Sequence, residues 1–146
     1  MKNKLIYLIG SLRNPNVPAV GQQLRDVGFS VFDDWFAAGP EADDYWRFYE
    51  RGRGKTLTQA LRSPAAIDVF EFDRKWLMAS HATVLLMPAG KSAHLEFGWT
   101  RGLGKPGFIY IPEWEEDERW DVMYQFATSV ATDMTTLVDE LETALL

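Results

Sequence analysis

Ala82–Gly98 reads ATVLLMPAGKSAHLEFG, and its order decides the fold. The first six residues, Ala82–Met87, are continuously apolar and are closed by Pro88-Ala89-Gly90. A short apolar run without alternation suits a strand buried on both faces of a parallel sheet. Ser92 then stands where it can cap a helix running to about Gly102.

The same signature recurs on either side. Lys4–Ile9 (KLIYLI) closes at Gly10-Ser11, Gly28–Phe32 (GFSVF) at Asp33-Asp34, and Gly107–Ile111 (GFIYI) at Pro112. A short strand near Ser129–Ala131 is a possible fifth. Between these runs, Val17–Val27 reads as a helix. Ser63-Pro64 reads as a cap with proline in the first turn, opening a helix to about Ala79. Glu118–Thr128 and Thr135–Leu146 read as the last two, with Leu137, Leu141 and Leu145 turned to the core. The alternation predicts one α/β domain over residues 1–146, a Rossmann-like, doubly wound parallel sheet of four to five strands with right-handed crossovers. Trp35–Lys55 (WFAAGPEADDYWRFYERGRGK) has no clean period and reads as a long aromatic lid loop over about 35–55.

Composition narrows the chemistry. The chain has 146 residues, 47% of them hydrophobic and 25% charged, which excludes disorder. A net charge of -6 argues against coating duplex nucleic acid. The absence of cysteine removes thiolate nucleophiles and cysteine metal sites, and His81 and His94 are too few for a multi-histidine site. No metal and no cofactor are therefore expected. No run reaches the roughly 18 apolar residues of a membrane span, and the N-terminus reads as a strand rather than a signal peptide. A cytoplasmic protein is expected. Six tryptophans in so small a chain are more flat surface than one core needs.

Ligands of such sheets bind beyond the carboxyl ends of the strands. Glu96, about one turn into its helix, is a candidate carboxylate held ionised by the helix N-terminus, or simply an acid complementing that dipole. Asp73 falls in the stripe Ala66, Val69/Phe70, Trp76/Leu77 and is either a raised-pKa general acid or half of a structural ion pair. Gly10-Ser11-Leu12-Arg13 offers backbone donors, a hydroxyl and a guanidinium suited to a phosphate, or forms a tight turn with a solvated arginine. Asp33 and Trp35 end the second strand, and Gly90 and Ser92 follow the third. Gly90-Lys91-Ser92 lacks the rest of a nucleotide-triphosphate loop. His94 faces the site or simply covers its helix surface, and Glu113–Glu118 reads as a solvated acidic loop.

Tyr7, Gly10-Ser11-Leu12-Arg13, Asp73, Ser92–Gly98 and Asp121-Val122-Met123-Tyr124, in that order, resemble the nucleoside 2-deoxyribosyltransferase superfamily. The resemblance covers most of the chain. It implies a flavodoxin-like fold and cleavage of the N-glycosidic bond of a nucleoside or nucleotide, with no cofactor. It casts Glu96 as the nucleophile at C1′, Asp73 as the group that orients or protonates the departing base, and Tyr7 as the residue that positions the glutamate. Ser11, Arg13 and Ser92 match the phosphate side of the related 5′-monophosphate N-hydrolases, while the long lid and the Met-Tyr segment look like the transferases. His81 stands where the superfamily usually has aspartate. The resemblance also implies a homodimer or larger assembly, with Met123 or Tyr124 reaching a neighbour's site. Two alternatives stay open. One is a cytokinin-type phosphoribohydrolase, whose glycine-rich loop is faintly echoed in Pro88–Glu96; the other is a non-catalytic nucleotide-binding module. In this reading Trp35 and Trp46 serve base stacking, Trp76 the core, and Trp114 and Trp120 a subunit contact.

Overall fold

The computed structural model describes residues 3–146. Five strands, β1 (Leu5–Ile9), β2 (Ser30–Phe32), β3 (Ala82–Leu86), β4 (Gly107–Tyr110) and β5 (Ser129–Ala131), form one sheet in the order β2-β1-β3-β4-β5. Every pairing is parallel. The order reverses between β1 and β3, which is the switch point of a flavodoxin-like sheet.

The runs of β1, β3 and β4 are buried on both faces, yet their side chains still divide by parity. Ile6, Leu8, Val84, Leu86, Phe108 and Tyr110 pack on one face against α1 (Val17–Asp26) and α6 (Met134–Leu145). Tyr7, Ile9, Leu85 and Ile109 pack on the other against Leu77, Ala93 and Phe97. Those three lie on α4 (Pro64–Ala79) and α5 (Lys91–Gly102). Two helical layers therefore sandwich the sheet, each burying apolar side chains at roughly 2 kcal/mol apiece. No helix among the described residues is long and apolar enough to cross a membrane.

The predicted strands and most helices lie where the sequence put them, within a residue or two. Four details differ. Residues 35–55 are helical: a 3₁₀ turn spans Asp34–Ala38 and α2 spans Ala42–Gly52, followed by α3 (Leu57–Ala60). Helix α2 buries only Glu50 and leaves Tyr45, Phe48 and Tyr49 exposed, so its aromatic residues do not pack on the sheet core. Local terms sustain it instead: Asp43 and Asp44 in its first turn, Arg51 in its last, and an Asp44–Arg47 pair at 2.9 Å.

The helix expected over Glu118–Thr128 shrinks to a 3₁₀ turn, Val122–Phe126. The Asp121 carboxylate accepts the Met123 N–H at 2.9 Å to start it, and Thr128 N–H donates to Gly107 O at 2.7 Å to end it in sheet register. Ser63 takes the predicted cap position ahead of Pro64 but makes no side-chain capping bond, and Ser92 does not take the predicted cap position. Ser63 Oγ donates back to Ala60 O at 2.6 Å, and Ser92 lies inside α5, whose cap position is Gly90. The stripe on α4 is also less buried than its spacing implied. Leu77 is buried, but Val69 and Phe70 are more than half exposed.

Candidate functional site

A cleft of about 790 Å³ opens at the carboxyl ends of β1 and β3. Its size suits a ligand of drug or nucleoside dimensions. Strand β1 delivers Tyr7 at its middle and Gly10, Ser11 and Arg13 in the turn that follows. The turn is tight because Asn14 N–H donates to Ser11 O at 3.0 Å and Arg13 N–H to Ser11 Oγ at 3.1 Å. A Cβ at Gly10 would meet Val17 at 3.4 Å and Trp35 at 3.6 Å, ordinary contact distances, so the turn packs closely on α1 and on the Trp35 wall. Strand β3 leads to Gly90, Lys91 and Ser92, and α5 carries Glu96 to the cleft floor. Asp73 enters from α4 and Trp46 from α2.

At the floor, the Tyr7 hydroxyl donates to Glu96 Oε2 at 3.2 Å. Burial, reinforced by the negative charges of Glu96 and Asp73, pushes the Tyr7 phenol far above its ordinary range, so it is a neutral donor. Burial, then repulsion from Asp73, raises Glu96 to about 7, against the opposing pull of the Tyr7 bond. Burial alone raises Asp73 to about 6. The sequence-based expectation that a helix N-terminus would hold Glu96 ionised is thus corrected. Glu96 is the sixth residue of α5, past the first turn where the dipole acts, and desolvation dominates.

Such a floor holds two carboxyl groups that titrate near neutrality and a phenol fixed as donor. One carboxylate can attack or stabilise a cationic centre while the other carries a proton. Aromatic side chains line the approach. Trp35 is fixed by Nε1–H donating to Leu8 O at 2.9 Å, and Trp46 and Phe72 complete the wall. Trp76, expected in the core, is half-buried and stacks on Phe32 with centroids 4.3 Å apart and planes 9° from parallel. Among the described residues no group of three or more His, Cys, Asp and Glu is arranged to hold a metal ion.

Of the residues proposed from sequence, the cleft gathers Tyr7, Gly10, Ser11, Arg13, Trp35, Asp73, Gly90, Ser92 and Glu96. Asp33 is not among them. Its carboxylate turns to α1 and forms a two-point pair with Arg25, one contact being 3.2 Å. Met123 and Tyr124 do not line the cleft of their own chain either. Met123 is exposed, and Tyr124 packs on the α4–α5 side of the sheet.

His81 sits at the other end of β3, where its Nδ1 accepts the Leu5 N–H at 2.9 Å. Sequence reasoning missed Asp43, Asp68 and Phe72, which also line the cleft. Asp43 lies on α2, within the stretch read as a loop, and Asp68 on the exposed side of α4. Phe72, beside Asp73, could have been found by asking what else the exposed half of α4 faces.

The sequence matches no protein-family model and no curated protein. Among solved structures the fold is similar to that of the Clostridium botulinum CMP N-glycosidase BcmB. The TM-score is 0.54 at 11% identity, covering 95% of this chain and 99% of that one. At that identity the likeness is one of fold.

Proposed function

We propose that the chain cleaves the N-glycosidic bond of a nucleoside or nucleoside 5′-monophosphate. The observation that carries this is the Tyr7–Glu96 hydrogen bond of 3.2 Å at the cleft floor with Asp73 beside it. The sequence resemblance to deoxyribosyltransferases and the fold shared with a CMP N-glycosidase support the same chemistry.

Glu96, ionised, attacks C1′ as the bond from C1′ to the base nitrogen breaks. The electron pair of that bond goes to the base, and Asp73 supplies its proton. Tyr7 holds the attacking carboxylate in line, and the fixed negative charge stabilises an oxocarbenium-like transition state. Water or a second base then attacks C1′ and gives its proton to the now ionised Asp73, while the C1′–Oε bond to Glu96 breaks and releases it as a carboxylate, so the two outcomes are hydrolysis and transfer. Trp35, Trp46 and Phe72 offer faces on which a base can stack.

Glu96→Gln removes the nucleophile with little change in shape. Base release from deoxynucleosides and their monophosphates, followed by chromatography, is expected to fall at least about a thousandfold, the usual scale for losing a covalent nucleophile. A 2-fluoro-2-deoxy substrate analogue should leave a sugar adduct on Glu96 in intact-mass measurements. Retained activity in Glu96→Gln overturns the mechanism. Incubation with and without a free acceptor base separates transferase from hydrolase. The protein is also proposed to work as a homodimer or larger assembly.

A further inference from the structure

The Gly10–Arg13 turn is the part of the rim that carries donors suited to a phosphate, and its guanidinium and the Arg13 N–H are already engaged. The Arg13 guanidinium donates to both oxygens of Asp43, at 3.0 and 3.2 Å, and lies 3.6 Å from Asp44 Oδ2. The Arg13 backbone N–H is taken by Ser11 Oγ at 3.1 Å. Asp43 and Asp44 come from the first turn of α2, thirty residues away. Arg13 and Lys91 are the cleft's cationic side chains among the described residues, and they face Asp43, Asp68, Asp73 and Glu96.

We propose, resting on the glycosidase reading, that Asp43 and Asp44 are specificity-determining residues that turn the site against a 5′-phosphate and toward the unphosphorylated nucleoside. A phosphate dianion approaching Arg13 must displace one carboxylate and lie beside two. A sugar hydroxyl carries no charge and can donate to Asp43 without disturbing the pair. The Arg13–Asp43 pair is half exposed on both sides and weak as a tether. Its consequence lies in the sign of the charge it leaves at the rim. Lys91 and the α5 N-terminus offset part of that charge but are outnumbered by the acids around them. Neutralising two carboxylates within about 6 Å of a dianion changes its affinity by about tenfold or more.

The test compares kcat/KM for one deoxynucleoside and its own 5′-monophosphate, in the wild type and in the Asp43→Asn/Asp44→Asn double variant. The wild type should prefer the nucleoside. The double variant should shift the ratio toward the monophosphate by about tenfold or more, chiefly through KM and less so at high salt. Asp43→Glu/Asp44→Glu, which keeps the charge, should hold the wild-type ratio. A wild type that prefers the monophosphate overturns the proposal. So does a ratio unmoved by the asparagines, or moved as far by the glutamates. If no base is released from either substrate, the glycosidase reading itself fails. Calorimetric binding of the same two compounds then decides this proposal separately: tighter monophosphate binding overturns it, and tighter nucleoside binding supports it.

Discussion

Glu96 and Asp73 make opposite demands on one proton. Attack at C1′ needs Glu96 ionised, so activity rises as pH passes upward through about 7. Protonation of the base needs Asp73 neutral, so activity falls as pH passes upward through about 6. The pair therefore works with one proton between them, and kcat/KM is expected to be bell-shaped, with its maximum between about 6 and about 7. Asp73→Asn should remove the alkaline limb; a profile flat from pH 5 to 8 contradicts the pairing. The same burial has a stability cost. Glu96 goes from an ordinary value of 4.5 to about 7 on folding, so the folded state binds its proton more tightly. Stability from this group is complete below about pH 4.5 and is lost as pH rises to about 7. Glu96→Gln should leave thermal unfolding near its wild-type value at pH 4. At pH 8 it should raise stability by roughly 2 kcal/mol, after allowing for partial solvation. An inactive variant that is also more stable only at high pH would separate function from fold in a single substitution.

Among the elements, the strands were readable because a doubly buried strand must be apolar throughout, whatever its neighbours. Helix α2 was not, since its aromatic residues stay exposed instead of facing the core, and it reaches the cleft rim through pairs such as Asp43–Arg13 between residues thirty apart. Asp33 was misread for a related reason. An aspartate ending a strand at the site's edge looks available, but α1 brings Arg25 to it. That arrangement depends on Gly21, inside α1, where an added Cβ would lie 2.0 Å from Asp33 Oδ2 and 3.0 Å from its Cγ. In an open helix, Gly→Ala stabilises by about 1 kcal/mol. Here the new methyl must push the carboxylate off the guanidinium, so Gly21→Ala is expected to destabilise by about 1–3 kcal/mol. Chemical denaturation measures this directly, and a stabilised Gly21→Ala would show that the Arg25–Asp33 contact does not fix the approach of α1 to β2.

For the whole molecule, the two helical layers differ in what they show to water. Helices α1 and α6 expose no large apolar side chain within their bounds. The α4–α5 side exposes Phe70, Met78, Leu95 and Trp99, and Phe126 adjoins it, its carbonyl held by Arg101 Nε at 2.7 Å. Leu95 is 75% exposed, and Trp120, just ahead of the 3₁₀ turn, is 71% exposed. A monomer rarely leaves a patch much above about 600 Å² uncovered. An aromatic side chain offers about 150–250 Å², so these five large residues exposed by half or more, with Trp99 exposed at 39%, supply several hundred Å² toward the roughly 800 Å² per partner of a standard interface. A second copy placed on this side would also stand beside the α4 wall of the cleft, where Val69 and Phe72 are more than half exposed. The chain is therefore expected to sediment as a dimer or larger species. A charge on this side should break that contact, because an unpaired carboxylate cannot be buried cheaply. Phe70→Glu should give monomers by light scattering and lower the rate of base release along with association, since the α4 wall would lose its cover. A wild type that is monomeric at concentrations of tens of micromolar, or a fully active monomeric Phe70→Glu, would leave the α4–α5 face without this role.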